Sequence, residues 1–225
     1  IMVKSVLKLS KLEFMRGISP EETLRMQQDT VRMITQSNLN AEDALLMLYA
    51  GMGEHFAGSL EEGEILRSKG IKYMKQFNYE GHEPEAVPLI GWHYYLEGDF
   101  RKTVAYYESF ILAIENRKDG DIITFAYPPI IFSYFFMGEP EKALALAEMI
   151  YRHAVRDKDN MASNLLKAII GRVYLYLEQD ETAEKILNEA YQEGKRLEYG
   201  WGMYYALMGI CYLEERRRNF EKCKE

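Results

Sequence analysis

Cysteine is nearly missing from this chain: only Cys211 and Cys223 occur, both near the end. Their C-x11-C spacing fits no zinc or redox motif, and one pair could not staple 225 residues. Two reduced core thiols in a cytoplasmic protein are the expectation. Also missing is any apolar run near the ~18 residues of a membrane span, and no signal-like stretch stands at the start, so no membrane contact is expected. A basic stripe is lacking too. With 28 Lys and Arg against 35 Asp and Glu, the net charge is −7, which argues against direct nucleic-acid contact by this segment. Arg216-Arg217-Arg218 is the one basic cluster and reads as a solvated helix end.

Catalytic motifs are equally scarce. No phosphate-cradling glycine loop, H-E-x-x-H or G-x-S-x-G is present. "GHEPE" at 81–85 has only the first two letters of a zinc motif. "RDKDN" at 156–160 lacks the Gly and the distant Glu of a calcium loop, and it sits where "RKDGD" sits at 117–121, in an inter-repeat turn. The histidines at 55, 82, 93 and 153 fall in different units at different positions. No enzyme, metal site or cofactor is expected.

What the chain does have is self-similarity. Stepping by forty residues joins Gly58, Gly98, Gly138, Glu178 and Arg218. Seven residues before each lie Gly51, Gly91, Ile131, Gly171 and Cys211; five after each lie Gly63, Thr103, Ala143, Ala183 and Cys223. A further ladder runs Asn40, Gly120, Asn160 and Gly200, with Gly81 one place out of step. Those residue types suit the left-handed backbone that closes a helix, and the ladder is read as helix ends. Each unit then holds two helices. The second starts just after the turn, with Pro140 suited to a first turn and Asp99 and Asp180 to N-caps. Ala143, Leu144, Ala147 and Ile150 show its apolar period of three and four. No alternating β pattern competes, so the fold class is all-α. A more divergent first unit carries its turn at Gly17, and the units span 2–39, 41–80, 82–120, 121–160, 161–200 and 201–225 of a single domain. Ile1-Met2 and the closing "NFEKCKE", a helix barely begun, read as the cut ends of a segment from a longer polypeptide.

A small residue, an aromatic three places on, glycine four further and a second small residue five later form a known signature. It stands as Gly91-Tyr94-Gly98, as Gly171-Tyr174-Ala183, and more weakly as Gly51-Gly58-Gly63. The chain thus resembles the tetratricopeptide repeat (TPR), with a period of forty rather than about thirty-four and no late proline. The longer period is similar to that of MalT-like and LuxR-type bacterial regulators and of peptide receptors of the Rap kind. The resemblance implies a right-handed α-α superhelix of about five and a half helix-turn-helix repeats, first helices lining the concave face.

In that register the inward positions are His55 and Phe56, Trp92 and Tyr95, Phe125, Phe132, Phe135 and Phe136, Arg172 and Tyr176, and Tyr205 and Tyr212. Such an aromatic stripe suits recognition of a peptide, a protein segment or a small molecule in an open groove. The alternative is a winding tight enough to fill its interior with its own rings. Pro88 and Pro128 stand forty apart in the first helices. The simpler reading puts both in first turns; if the helices begin earlier, carbonyls near Pro84 and Thr124 lose their helical donors. Two functions follow. One is a non-catalytic sensor module of a cytoplasmic regulator, working with other domains of its parent. The other is a scaffold or oligomerisation arm, with a homodimer as one form.

Overall fold

At forty-residue intervals the backbone turns left-handed: φ is +93° at Gly58, +77° at Gly98 and +78° at Gly138. The same conformation is taken without glycine by Glu178 (φ 58°) and Arg218 (φ 59°). An L side chain there costs about 1–2 kcal/mol, which the closing hydrogen bonds offset. Glu139 N–H donates to Tyr134 O at 2.9 Å, and Gln179 and Asn219 repeat that bond to Tyr174 O and Glu214 O. The turn ladder is therefore a conserved geometry within the chain.

The structure, a computed structural model, describes residues 2–16, 21–34, 39–77, 86–115 and 120–221, with the backbone alone at 14–16, 110–115 and 120–125. It divides into two compact units, Ile1–Asn116 and Arg117–Glu225. The first holds α1 (Met2–Arg16), α2 (Glu21–Ile34), α3 (Ala41–Phe56), α4 (Leu60–Gln76), α5 (Ala86–Leu96) and α6 (Phe100–Glu115). The second holds α7 (Gly120–Phe136), α8 (Pro140–Arg156), α9 (Asn160–Tyr176), α10 (Asp180–Arg196) and α11 (Gly200–Arg216). Among the described residues there is no strand, and no helix is long and apolar enough to cross a membrane.

Consecutive helices pack as pairs, α3 on α4, α5 on α6, α7 on α8 and α9 on α10. The recurrent small residues explain how closely. A Cβ on Gly51 would lie 2.7 Å from Gly63 O, and one on Gly63 would lie 2.8 Å from Gly51 O. Arg67 uses that proximity: it is buried, and its Nη1 donates to Gly51 O at 2.9 Å. In the first unit α3 is the central element. One face joins Leu45, Leu48 and Met52 to Ile71, Met74, Ile90 and Trp92, and another joins Leu46 and Met47 to Val6 and Val31. In the second unit Leu175, Ala183, Leu187 and Leu213 close α9, α10 and α11 together.

Three local readings of the sequence are corrected. The Asn/Gly ladder starts helices rather than ending them. Asn40 is the N-cap of α3 in a reciprocal box with Asp43, while Gly120, Asn160 and Gly200 open α7, α9 and α11. The left-handed residues of the inter-repeat turns are Lys158 and Glu198, two places earlier. Asp99 does cap α6, its Oδ1 accepting from Lys102 N at 3.0 Å, and Asp159 caps α9 in the same way. Asp180, however, is the first residue of α10 and faces Arg216 at 3.1 Å. Pro140 sits at the start of α8 as read, and Pro88 lies in the first turn of α5. Pro128 does not: with Pro129 it stands inside α7, where both remove the donors that would reach Thr124 O and Phe125 O. Ser133 Oγ donates to Pro129 O at 2.7 Å.

Candidate functional site

Three first helices of the second unit, α7, α9 and α11, bring their C-terminal halves to one concavity of about 570 Å³. Phe135 and Phe136 come from α7, Arg172, Leu175 and Tyr176 from α9, and Met208, Gly209, Cys211, Tyr212 and Glu215 from α11, with Phe220 after the last turn. The repeat register puts them there. Tyr176 and Phe136 stand forty apart, as do Arg172 and Tyr212, so equal positions of successive repeats fall side by side. The Phe135 ring lies 5.1 Å from Phe136, edge to face, and 4.1 Å from Tyr176. Phe136, Tyr176, Tyr212 and Phe220 are 51%, 50%, 49% and 56% exposed. Four large rings half in water around one cavity form an apolar surface of the kind that marks interaction sites.

Beneath that surface lies a filled layer. Phe132 and Tyr205 are buried with ring centroids 5.4 Å apart. The Arg172 guanidinium lies over both, 4.8 Å from the Phe132 centroid and 5.5 Å from that of Tyr205. Ring quadrupoles favour a cation there, so Arg172 is held against the wall. Arg216 fixes the far side, donating to Leu175 O at 2.9 Å beside its contact with Asp180.

Of the residues picked from the sequence, Phe135, Phe136, Arg172, Tyr176 and Tyr212 meet at this groove. Phe132 and Tyr205 are its buried support rather than its surface. Phe125 lies in α7, its side chain outside the described residues. His55, Phe56, Trp92 and Tyr95 belong to the first unit and form their own chain of ring contacts. Phe56 meets His55 at 5.6 Å and Trp92 at 6.3 Å, and Trp92 meets Tyr95 at 5.4 Å. Trp92 is core, 4% exposed, whereas Phe56 is 41% exposed. Burial, then the charge of Arg67, lowers the pKa of His55 below its ordinary value.

Sequence reasoning missed Leu175, Met208, Gly209, Cys211, Glu215 and Phe220 on the groove wall. Helical spacing could have found Met208 and Glu215, one turn to either side of Tyr212. Cys211 is half-buried beside the groove, so it is only partly the core thiol expected. No described group of three His, Cys, Asp or Glu side chains could hold a metal ion.

Helix pairs closed by a recurring left-handed turn, packed through small residues and repeating every forty residues, define a TPR-like helical-repeat protein. A solved structure bears this out at the level of fold. The crystal structure of a putative kinesin light chain from Podosopora anserina, with nearly identical TPR-like repeats, matches with a TM-score of 0.60 at 13% identity, over 87% of this chain and 95% of that one. No family model matches the chain, and no curated protein matches it.

Proposed function

We propose that this chain is a non-catalytic binding module whose second unit seats the apolar side chains of a peptide or protein segment in the groove of α7, α9 and α11. One observation carries the reading: Phe136, Tyr176, Tyr212 and Phe220 stay half exposed around one concavity while neighbouring rings of the same stripe are buried. Aromatic rings give large contact area at small rotamer cost, and the volume falls within the roughly 300–1,000 Å³ of ligand pockets. Arg172 and Glu215 supply one positive and one negative group at the wall for a ligand's polar atoms. The forty-residue period supports placing the module in a cytoplasmic regulator of the MalT or LuxR kind, where occupancy of the groove shifts the parent between states.

Panning a displayed random-peptide library against the whole chain tests this. Selected peptides should lose at least about tenfold in affinity on Tyr176→Ala or Phe136→Ala, with folding intact. Peptides indifferent to both substitutions would place binding elsewhere. Burial of Trp92, Phe132 and Tyr205 favours a second reading for those rings, as scaffold rather than ligand surface.

A further inference from the structure

A separate concavity of about 410 Å³ lies between α8 and α10, floored by a face of α9 that the aromatic groove does not use. Lys167, Ile170 and Tyr174 rise from α9 at helical spacing, between Glu148, Tyr151 and Arg152 of α8 and Ile186 and Glu189 of α10. The lining thus carries two acids and two bases. Arg152, Lys167 and Glu189 stand where the preceding repeat has Leu112, Tyr127 and Met149. Stability does not account for that change, since a half-buried ion pair contributes little over apolar residues of similar size.

The charges are arranged lengthwise. At one end Lys167 Nζ pairs with Glu193 Oε2 at 2.7 Å, the two side chains 23% and 24% exposed. Burial works against the lysine's charge, but that hydrogen bond, then Glu193, Tyr151 and Glu189 around it, raise its pKa above the ordinary value. The ammonium keeps two further donors, close to the Glu189 carboxylate. At the other end Glu148 makes only long contacts. It accepts from the Tyr174 hydroxyl at 3.4 Å and lies 3.9 Å from Arg152, which is 69% exposed. Lys167 and Tyr174 are seven residues apart, about 10 Å along α9. Ile170 stands between them, and Ile186 packs beside Gly171, so an apolar strip joins the two charged ends.

We propose that this cleft binds a free α-amino acid with a cationic side chain, of the lysine or arginine kind. The α-carboxylate takes the remaining donors of Lys167, and the α-ammonium pairs with Glu189. The aliphatic stem lies along Ile170 and Ile186, and the cationic end reaches Glu148 beside the Tyr174 hydroxyl. Arg152 gives way into water, where most of its side chain already lies. A short zwitterion reaches one end only. An alkyl cation without a carboxylate meets Lys167 as a like charge. None of the lining residues belongs to the aromatic groove, so the site stands whether or not that groove binds a peptide.

The test titrates L-lysine and L-arginine into the whole chain by isothermal calorimetry at low salt. Beside them run norleucine, which lacks the side-chain cation, and cadaverine, which lacks the carboxylate. At least one of the two amino acids should bind about tenfold tighter or more than both analogues, the effect of one charge-assisted contact. Glu148→Gln should abolish its preference over norleucine, and Lys167→Gln its preference over cadaverine, with helix content unchanged by circular dichroism. Tyr176→Ala should leave binding as it was. Binding of neither amino acid overturns the proposal, as does equal binding of norleucine or cadaverine. A preference undiminished in either the Glu148→Gln or the Lys167→Gln chain overturns it as well. Loss of binding on Tyr176→Ala would put the ligand in the aromatic groove and overturn it too.

Discussion

Gly91 lies directly under the ring of Tyr107. A Cβ on Gly91 would stand 2.2 Å from Tyr107 Cζ, and the Tyr107 hydroxyl donates to Pro88 O at 3.0 Å. The small position of α5 thus admits a whole buried aromatic from α6, and the first turn of α5 receives its hydroxyl. Burial drives the Tyr107 pKa well up, so the ring stays a neutral donor.

Replacing Gly91 by alanine should therefore overpack this contact. The backbone there is helical, so alanine's better propensity works in its favour, yet the ring has to move. We expect a net loss of about 1–3 kcal/mol by urea denaturation. In the background of Tyr107→Leu, the same substitution should cost measurably less, and additivity of the two changes would show that they do not share the site.

His93 should make the first unit sensitive to mild acid. It is buried, and its Nε2 lies 3.2 Å from Glu97 Oε1. Burial first, then the charges of Arg67, Lys102 and Lys75, lower its pKa to about 4, against about 6.5 in an unfolded chain. Between those values the unfolded state binds the proton that the folded state does not. Stability from this group is full above about 6.5, declines as pH falls and levels off below about 4. Lowering the pH from about 7 to about 4.5 should cost about 2–3 kcal/mol more in the natural chain than in His93→Gln. Parallel pH profiles for the two chains would remove His93 from the account.

Asn164 and Gly202 meet as closely as Gly91 and Tyr107. A Cβ on Gly202 would fall 1.7 Å from Asn164 Oδ1, while Asn164 Nδ2 is committed to Ala190 O. Gly202→Ala should destabilise the second unit by about 2 kcal/mol or more. Adding Asn164→Ala should recover part of that loss in a double-mutant cycle, because the second change removes the atom in the way.

The two layers of the aromatic stripe should separate by stability. Phe132→Ala opens a cavity in a buried layer and should cost about 3–5 kcal/mol, whereas Phe136→Ala, half exposed, should cost less than about 1 kcal/mol. In a Trp201→Phe chain, the remaining Trp92 should emit in the blue and resist quenching by acrylamide. Red emission with ready quenching would mean that the core around α5 is open.

The sequence by itself determined the helix pairs, their forty-residue phase and the small residues between them. These follow from local chemistry: a left-handed turn, a cap and an apolar period leave marks on the residues that make them. Even so, the Asn/Gly ladder was legible as a boundary and not as which side of it. Asn40 suits a helix start as well as a helix end, and only the backbone beyond it chose. The stripe of aromatics was legible too, by register alone. Which rings meet water was decided by tertiary packing. Phe132 and Phe136 lie four residues apart on one helix, yet Phe132 is covered by Arg172 and Tyr205 from helices forty and more residues away, and Phe136 is not. Burial is a property of what the neighbouring repeats place opposite a side chain. No pattern along one helix carries that information, so the groove came from the fold.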